Sequence, residues 1–127
     1  MINLRLLPDG YCIYQFAEAD EIPERIYQSD FYSVTRTLDE ISVIANCMAD
    51  FPEIKSNKGW IGFVVEGILD FSLVGILHDL THLLKEAGIS VFVVSTFNTD
   101  YLFVKEEAVE SAVAAFRADG SIQVKLA

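Results

Sequence analysis

The pattern of hydrophobic and polar positions divides the chain into a strand-rich N-terminal half and a C-terminal half in which strands and helices alternate. In the C-terminal half, residues 60–66 (WIGFVVE) and 89–96 (ISVFVVST) are short apolar runs typical of strands. The second run is apolar enough to predict a strand covered on both faces. Between the two runs, apolar residues recur at helical spacing and predict a helix over 73–87, with Ser72 as its N-cap and Gly88 beyond its end.

The remainder of the C-terminal half completes a second round of this alternation. A turn precedes a predicted strand at 101–104, and residues 106–118 predict a helix with glutamates in its first turn and an arginine in its last. Residues 121–126 alternate between apolar and polar, which predicts a half-exposed edge strand. The order is β-α-β-β-α-β, the ferredoxin-like plan. We therefore expect an α+β fold in which a four-stranded antiparallel sheet carries two helices on one face.

The N-terminal half has the pattern of a shortened copy of the same plan. Its predicted elements are a strand at 11–16, a helix at 21–28, and strands at 31–37 and 41–45. The polar, turn-prone residues 52–59 predict a short connector. We therefore expect a shortened half over residues 1–56 and a complete domain over residues 60–127.

Composition excludes several classes of function. The 127 residues are 52% hydrophobic, enough for a sizeable core, and their net charge is −10, which disfavours binding to nucleic acid or to anionic lipid. No apolar run is long enough to span a membrane, and the N-terminus lacks the pattern of a secretory signal. Cys12 and Cys47 have no CxxC partner, so we expect two reduced, buried thiols in a cytoplasmic protein; a disulfide and a reactive thiol are the alternatives.

Motifs for catalysis and metal binding are weak. His78 and His82 have a spacing that can hold zinc, but no third ligand has support in the sequence, so we expect a solvated helix face and no metal. The chain has no GxSxG elbow and no glycine-rich phosphate loop. We therefore predict no catalytic residues and no cofactor.

Several stretches resemble the small bacterial ACT-domain proteins. They include LDFSLVGIL at 69–77, AGISVF at 87–92, STFNTDY at 95–101 and FYSVTRT at 31–37. The resemblance covers about residues 3–105. It extends to the ACT pairs of the animal cytosolic arginine sensors and, more distantly, to the regulatory domains of aspartate kinase.

The resemblance implies a βαββαβ domain that holds an amino acid between two ACT units. The ligand would lie between the loop that enters the first helix and the turn that follows the second strand. The implied ligand-binding residues are Asp70, Phe71, Ser72, Leu73, Val74, Gly75 and Ile76 in the loop, and Ser95, Thr96, Phe97, Asn98, Thr99 and Asp100 in the turn.

Elementary chemistry is consistent with this mapping. A helix N-terminus suits a carboxylate, Asp70 and Asp100 can receive an ammonium group, and Gly75 lets backbone approach a ligand closely. The acidic composition favours a cationic ligand such as arginine or lysine. In the alternative interpretation, Ser72 is an ordinary helix cap and both aspartates are solvated turn residues.

These observations predict a non-enzymatic regulatory or sensor module that binds an amino acid and forms a homodimer. One alternative is a ligand-independent interaction scaffold that dimerises through its sheet edges, for which residues 122–125 offer an alternating strand. A small enzyme of unknown chemistry is the third hypothesis, disfavoured because no pair of groups suggests a general acid and base.

Overall fold

The computed structural model describes residues 2–48, 53–67 and 75–126, and these form two compact units. The N-terminal unit is Asp9–Trp60, and the C-terminal unit is Met1–Pro8 together with Ile61–Ala127. The helices and strands are β1 (Ile2–Phe16), β2 (Ser33–Arg36), β3 (Ile41–Asn46), β4 (Ser56–Val65), α1 (Ile76–Glu86), β5 (Val91–Ser95), β6 (Asp100–Lys105), α2 (Val109–Ala118) and β7 (Ile122–Lys125). Strands β1 and β4 contribute residues to both units, so the first eight residues do not belong with the N-terminal unit.

The N-terminal unit is a sheet in the order β2-β3-β1-β4. Strands β1 and β3 pair antiparallel from Tyr11 opposite Asn46 to Phe16 opposite Ile41. The predicted helix at 21–28 is wrong: the segment holds two short 3-10 turns, Ala19–Glu21 and Glu24–Gln28. Proline explains the break, because Pro23 lacks an N–H and forces the residue before it out of the helical region. Ile22 is accordingly extended, with ψ 118°.

A disulfide joins the buried Cys12 to the exposed Cys47, so the prediction of two reduced, buried thiols is wrong. Cys12 and Cys47 are bonded, with their Cα atoms 5.0 Å apart. Sheet register explains the pairing. In the antiparallel ladder Cys12 is opposite Ala45, and Cys47 follows Ala45 by two residues, so the two cysteines are diagonal neighbours on one face. The predicted cytoplasmic location rested partly on reduced thiols and stays a prediction. Around the bridge pack the buried side chains of Tyr14, Phe16, Ile26, Ile41, Val43 and Ala45.

The C-terminal unit has the predicted element order but an additional strand in its sheet. From β4 to β7 the elements follow the order β-α-β-β-α-β. The sheet order is β7-β1-β4-β6-β5, so the N-terminal part of β1 lies between β7 and β4. Its pairing with β7 is parallel, from Ile2 opposite Ile122 to Arg5 opposite Lys125. The α+β class with two helices is therefore right, and the four-stranded, wholly antiparallel sheet is wrong.

Both helices pack on one face of this sheet. Alternate residues of the strands point to the same side, and those of β1, β4, β6 and β7 form one cluster with the buried positions of α1 and α2. The fully buried rings of Phe63 and Phe116 meet edge to face at 5.4 Å. The other buried members of the cluster are Leu4, Val65, Leu80, Leu84, Leu102, Val104, Ala112, Ile122 and Val124.

Helix α1 ends as predicted and begins later than predicted. At its end, Gly88 adopts φ 73°, and the N–H groups of Gly88 and Ile89 donate to the carbonyls of Lys85 and Leu84 at 3.0 and 2.9 Å. These two bonds form the Schellman motif that glycine favours. At its start, Gly75 is the N-cap residue, with φ 93°. The predicted cap, Ser72, lies outside the described residues.

Of the two edge strands of the C-terminal sheet, one differs from expectation in its burial. Strand β5 was predicted to be covered on both faces, but it lies at one edge of the C-terminal sheet and Val91 to Val94 are half-buried. Strand β7 lies at the other edge, and its residues alternate between buried and exposed, as predicted. The predicted connector is shorter than expected, because β4 already begins at Ser56.

Candidate functional site

Hydrogen bonds fix the turn between β5 and β6, where the sequence places half of the candidate site. The Thr96 N–H donates to the Thr99 carbonyl at 2.8 Å, and the Thr99 N–H donates to Thr96 Oγ1 at 3.2 Å. Thr99 Oγ1 donates to the carbonyl of Val65 at 2.6 Å, which attaches the turn to the end of β4. At the start of β6, Ser95 Oγ donates to Asp100 Oδ1 at 2.6 Å.

A pocket of about 250 Å³ opens beside this turn within the C-terminal unit. Pockets for drug-sized ligands have volumes of roughly 300–1,000 Å³, so this one suits a smaller metabolite. Its described lining residues are Arg5, Val64, Val65, Glu66, Gly67, Thr96, Asn98, Thr99 and Tyr101. Leu4, Val65 and Leu102 pack against the helices, so by alternation Arg5, Val64 and Tyr101 point to the opposite, helix-free face.

Two charged side chains, Arg5 and Glu66, line the pocket, and a third, Lys125, contacts Glu66. Arg5 Nε lies 3.7 Å from Glu66 Oε2, and Lys125 Nζ lies 3.2 Å from Glu66 Oε1. Arg5 and Lys125 are opposite one another in the parallel pairing of β1 with β7, which explains how both cations reach one carboxylate. Lys125 is not a lining residue and contacts the pocket through Glu66. The group has two positive charges and one negative charge.

The structure brings together some of the predicted site residues. Thr96, Asn98 and Thr99 line the pocket, whereas Ser95, Phe97 and Asp100 do not. The Phe97 side chain is 85% exposed, and the Asp100 carboxylate accepts the Ser95 hydroxyl. The predicted loop residues Asp70, Phe71, Ser72, Leu73 and Val74 lie outside the described residues and stay predictions.

Gly75 and Ile76 stand at the start of α1. Gly75 was predicted to allow close approach of a ligand, but a Cβ placed there would meet no described atom within 4 Å. Its φ of 93° is sufficient reason for a glycine, since other residues rarely adopt that conformation. The glycine therefore carries no separate indication of a ligand.

Sequence reasoning missed the charged part of the pocket. Arg5 belongs to a stretch that was not predicted to form a strand, and Lys125 was noted only as a polar position of β7. Glu66 was predicted as the last residue of its strand, without a role. Their juxtaposition depends on the insertion of β1 beside β7, which local patterning does not reveal.

The remaining chemical candidates add little. The rings of His78 and His82 stack at 6.0 Å, and His82 Nε2 lies 4.0 Å from Glu86 Oε1, with both side chains of that pair exposed. Within the described residues, no group of three His, Cys, Asp or Glu side chains is arranged to hold a metal ion.

Neither described helix has the length and apolar character needed to cross a membrane.

Comparison with known proteins identifies the family. A family model described as an ACT domain matches residues 55–118. A solved structure from Agrobacterium tumefaciens is 30% identical, with a TM-score of 0.85, and the match covers 99% of this chain and 93% of that one. The chain belongs to the ACT-domain family. A second model, for an N-terminal domain, matches residues 9–52 of this ACT-domain protein, nearly the extent of its N-terminal unit.

More distant structures share the fold of this ACT-domain protein. A Vibrio cholerae protein, described as one of unknown function and a possible transport protein, is 18% identical with a TM-score of 0.72, and the match covers 90% of this chain and 86% of that one. The regulatory subunit of aspartate kinase from Thermus thermophilus is 12% identical with a TM-score of 0.59, and the coverage is 87% and 92%. No curated protein matches the chain.

Proposed function

We propose that this ACT-domain protein is a regulatory module that binds a free amino acid and performs no chemistry on it. ACT domains are regulatory, ligand-binding modules in aspartate kinase, which supports the class of function. The observation that carries the proposal is the small polar pocket beside the β5–β6 turn, because it combines a guanidinium and a carboxylate.

The pocket complements the two charges that every amino acid carries. Arg5 lies 3.7 Å from Glu66 through its Nε. A guanidinium has five N–H donors and can bind a ligand carboxylate in bidentate fashion. Glu66 is the carboxylate among the described lining residues, and it can accept the ligand ammonium. Thr96 and Asn98 add neutral hydrogen-bonding groups. In this arrangement Glu66 takes the role that the sequence assigned to Asp70 and Asp100.

The proposal includes a homodimer, in which a second copy of the chain supplies the partner ACT unit. The apolar edge strand β5 supports it, since Val91 to Val94 are half-buried and the outer edge of β5 has no partner in the described sheet. We also propose that the N-terminal unit is a shortened ACT-like half. Strands β1, β2 and β3 follow the expected order, with two short 3-10 turns in place of the expected helix.

A thermal-shift panel with the twenty amino acids at millimolar concentration tests the proposal. A ligand at about a hundred times its dissociation constant adds roughly 2.7 kcal/mol to the free energy of unfolding. For a chain of this length, that corresponds to a rise of roughly 8–15 °C in Tm. A clear response to one chemical class of amino acid is the expected result. A flat panel at saturating concentrations would contradict the proposal.

The alternative function is a ligand-independent scaffold that dimerises through its sheet edges. The half-buried apolar side chains of β5 favour it, because exposed apolar edges promote strand pairing between chains. Both functions predict a dimer in light scattering, and the response of Tm to amino acids separates them. A scaffold would remain dimeric and show no change in Tm with any amino acid.

A further inference from the structure

We infer that the ligand is an acidic amino acid, with two carboxylates and one ammonium group. This inference rests on the proposed amino-acid binding and specifies the chemical class of the ligand. It is carried by the pocket residues Arg5 and Glu66 and by Lys125, which contacts Glu66 beside the pocket.

Each charged group of an acidic amino acid would have one side chain of opposite charge as its partner. Arg5 and Lys125 provide two cations and Glu66 one carboxylate, a local charge of +1 in a chain whose net charge is −10. Aspartate and glutamate carry two carboxylates and one ammonium group, a charge of −1. The Arg5 guanidinium would bind one carboxylate, Lys125 the other, and Glu66 the ammonium.

Arg5, Lys125 and Glu66 together leave one positive charge for a ligand to neutralise. Arg5 and Lys125 are neighbours in register, and like charges opposite one another in a sheet repel. Glu66 offsets one of the two cations and is shared between them. A second carboxylate would relieve the remaining repulsion, whereas the side chain of a basic ligand would add a third cation. The pocket thus favours the opposite ligand charge from the one that whole-chain composition suggests.

No second carboxylate competes with this assignment among the described lining residues. Glu66 is the acidic residue there, and the other lining side chains are neutral apart from Arg5. Asp100 directly follows the lining residue Thr99, but it accepts a hydrogen bond from Ser95 and does not line the pocket.

Isothermal titration calorimetry of the full chain with aspartate, glutamate, asparagine and lysine tests the ligand class. We expect one of the two acidic amino acids to bind at least about tenfold more tightly than asparagine, since a charged hydrogen bond contributes roughly ten- to hundredfold in affinity. Lys125→Gln should remove that preference while asparagine binding persists. Arg5→Gln should weaken every amino acid by roughly ten- to hundredfold. Lys85→Gln, an exposed loss of charge on α1 outside the pocket, is the matched control and should leave binding unchanged.

Glu66→Gln gives a second, independent test. It should weaken aspartate, which loses the acceptor for its ammonium, and tighten succinate, which has two carboxylates and no ammonium. If this variant does not fold, the Arg5 and Lys125 variants still decide the question.

The outcomes separate failure of the ligand class from failure of the function. Tighter binding of lysine or asparagine than of either acidic amino acid would overturn the inference and leave the proposed function standing. Absence of binding for all four ligands and for the rest of the amino acids would overturn both.

Discussion

Reduction of the Cys12–Cys47 disulfide should lower the free energy of unfolding by an amount that depends on the length of the loop it closes. The bridge joins residues 35 positions apart, across β1 and the end of β3. Cross-linking a loop of this length lowers the entropy of the unfolded chain and is worth about 4 kcal/mol in the chain-entropy model. For a protein of this size, the corresponding fall in Tm is roughly 10–20 °C.

Reduction and mutation separate the cross-link from the packing. The reduced wild-type protein keeps both sulfur atoms, so its loss of stability reports the cross-link alone. Cys12→Ala with Cys47→Ala also removes the buried Cys12 sulfur and should be less stable than the reduced protein, because a small cavity remains. Urea unfolding followed by circular dichroism gives the free energies, and thiol titration reports the redox state of each sample. The double variant should not respond to reductant.

Two results would refute the reasoning. If thiol titration of the native, unreduced protein finds two free thiols, the bridge is absent. If the bridge is present but the reduced and oxidised proteins unfold at the same urea concentration, the unfolded chain is already restricted enough to make the cross-link irrelevant.

Three further outcomes can be measured by urea unfolding and NMR titration. Gly62→Ala should lower the free energy of unfolding by about 1–3 kcal/mol, because the new Cβ would lie 2.8 Å from atoms of two buried side chains. Gly10→Ala is the control: its Cβ would lie 4.0 Å from the nearest atom, and the free energy of unfolding should hardly change. Phe116→Ala should cost about 3–5 kcal/mol, since its fully buried ring packs in the C-terminal core, and a loss below about 1 kcal/mol would contradict that packing. The Ser121 hydroxyl and N–H donate to Asp119 and hold the pKa of its carboxyl below its ordinary value of 3.8. The resulting stabilisation is present above about pH 4 and is lost as the pH falls through the lowered pKa, and Ser121→Ala should raise that pKa towards its ordinary value.

Local signals were sufficient for the order of the elements from β4 to β7. Helix α1 ends where the glycine indicated, and α2 and β7 lie within a few residues of their predicted bounds. These features depend on caps and on periodicity, which are properties of neighbouring residues. The apolar run at β5 was read as a strand covered on both faces, and it is an edge strand. The composition of a run does not distinguish a strand that is covered on both faces from a half-buried strand at the edge of a sheet.

Long-range pairing was beyond the reach of the same signals. The run Pro8-Asp9-Gly10 has the composition of a turn, yet β1 continues through it. The register explains why proline is tolerated: β7 pairs with β1 up to Arg5, and β3 pairs with it from Tyr11 onwards. Pro8 lies outside both registers, so its missing N–H removes no hydrogen bond from either ladder. The disulfide and the pocket cations both follow from pairings that only the folded sheet contains.

The charge of the pocket illustrates why composition is a poor guide to a ligand. At physiological ionic strength, exposed charges separated by more than about 8 Å are largely screened from one another. The excess of acidic residues that sets the net charge of −10 would therefore act weakly on the ligand that we propose for Arg5 and Lys125. Their common partner Glu66 lies 3.7 Å from Arg5 and 3.2 Å from Lys125. The parallel register of β1 with β7 makes Arg5 and Lys125 neighbours. Ligand selectivity in this protein would thus depend on a strand that lies outside the βαββαβ sequence of the ACT unit, and relatives that lack the strand would be free to select a different amino acid.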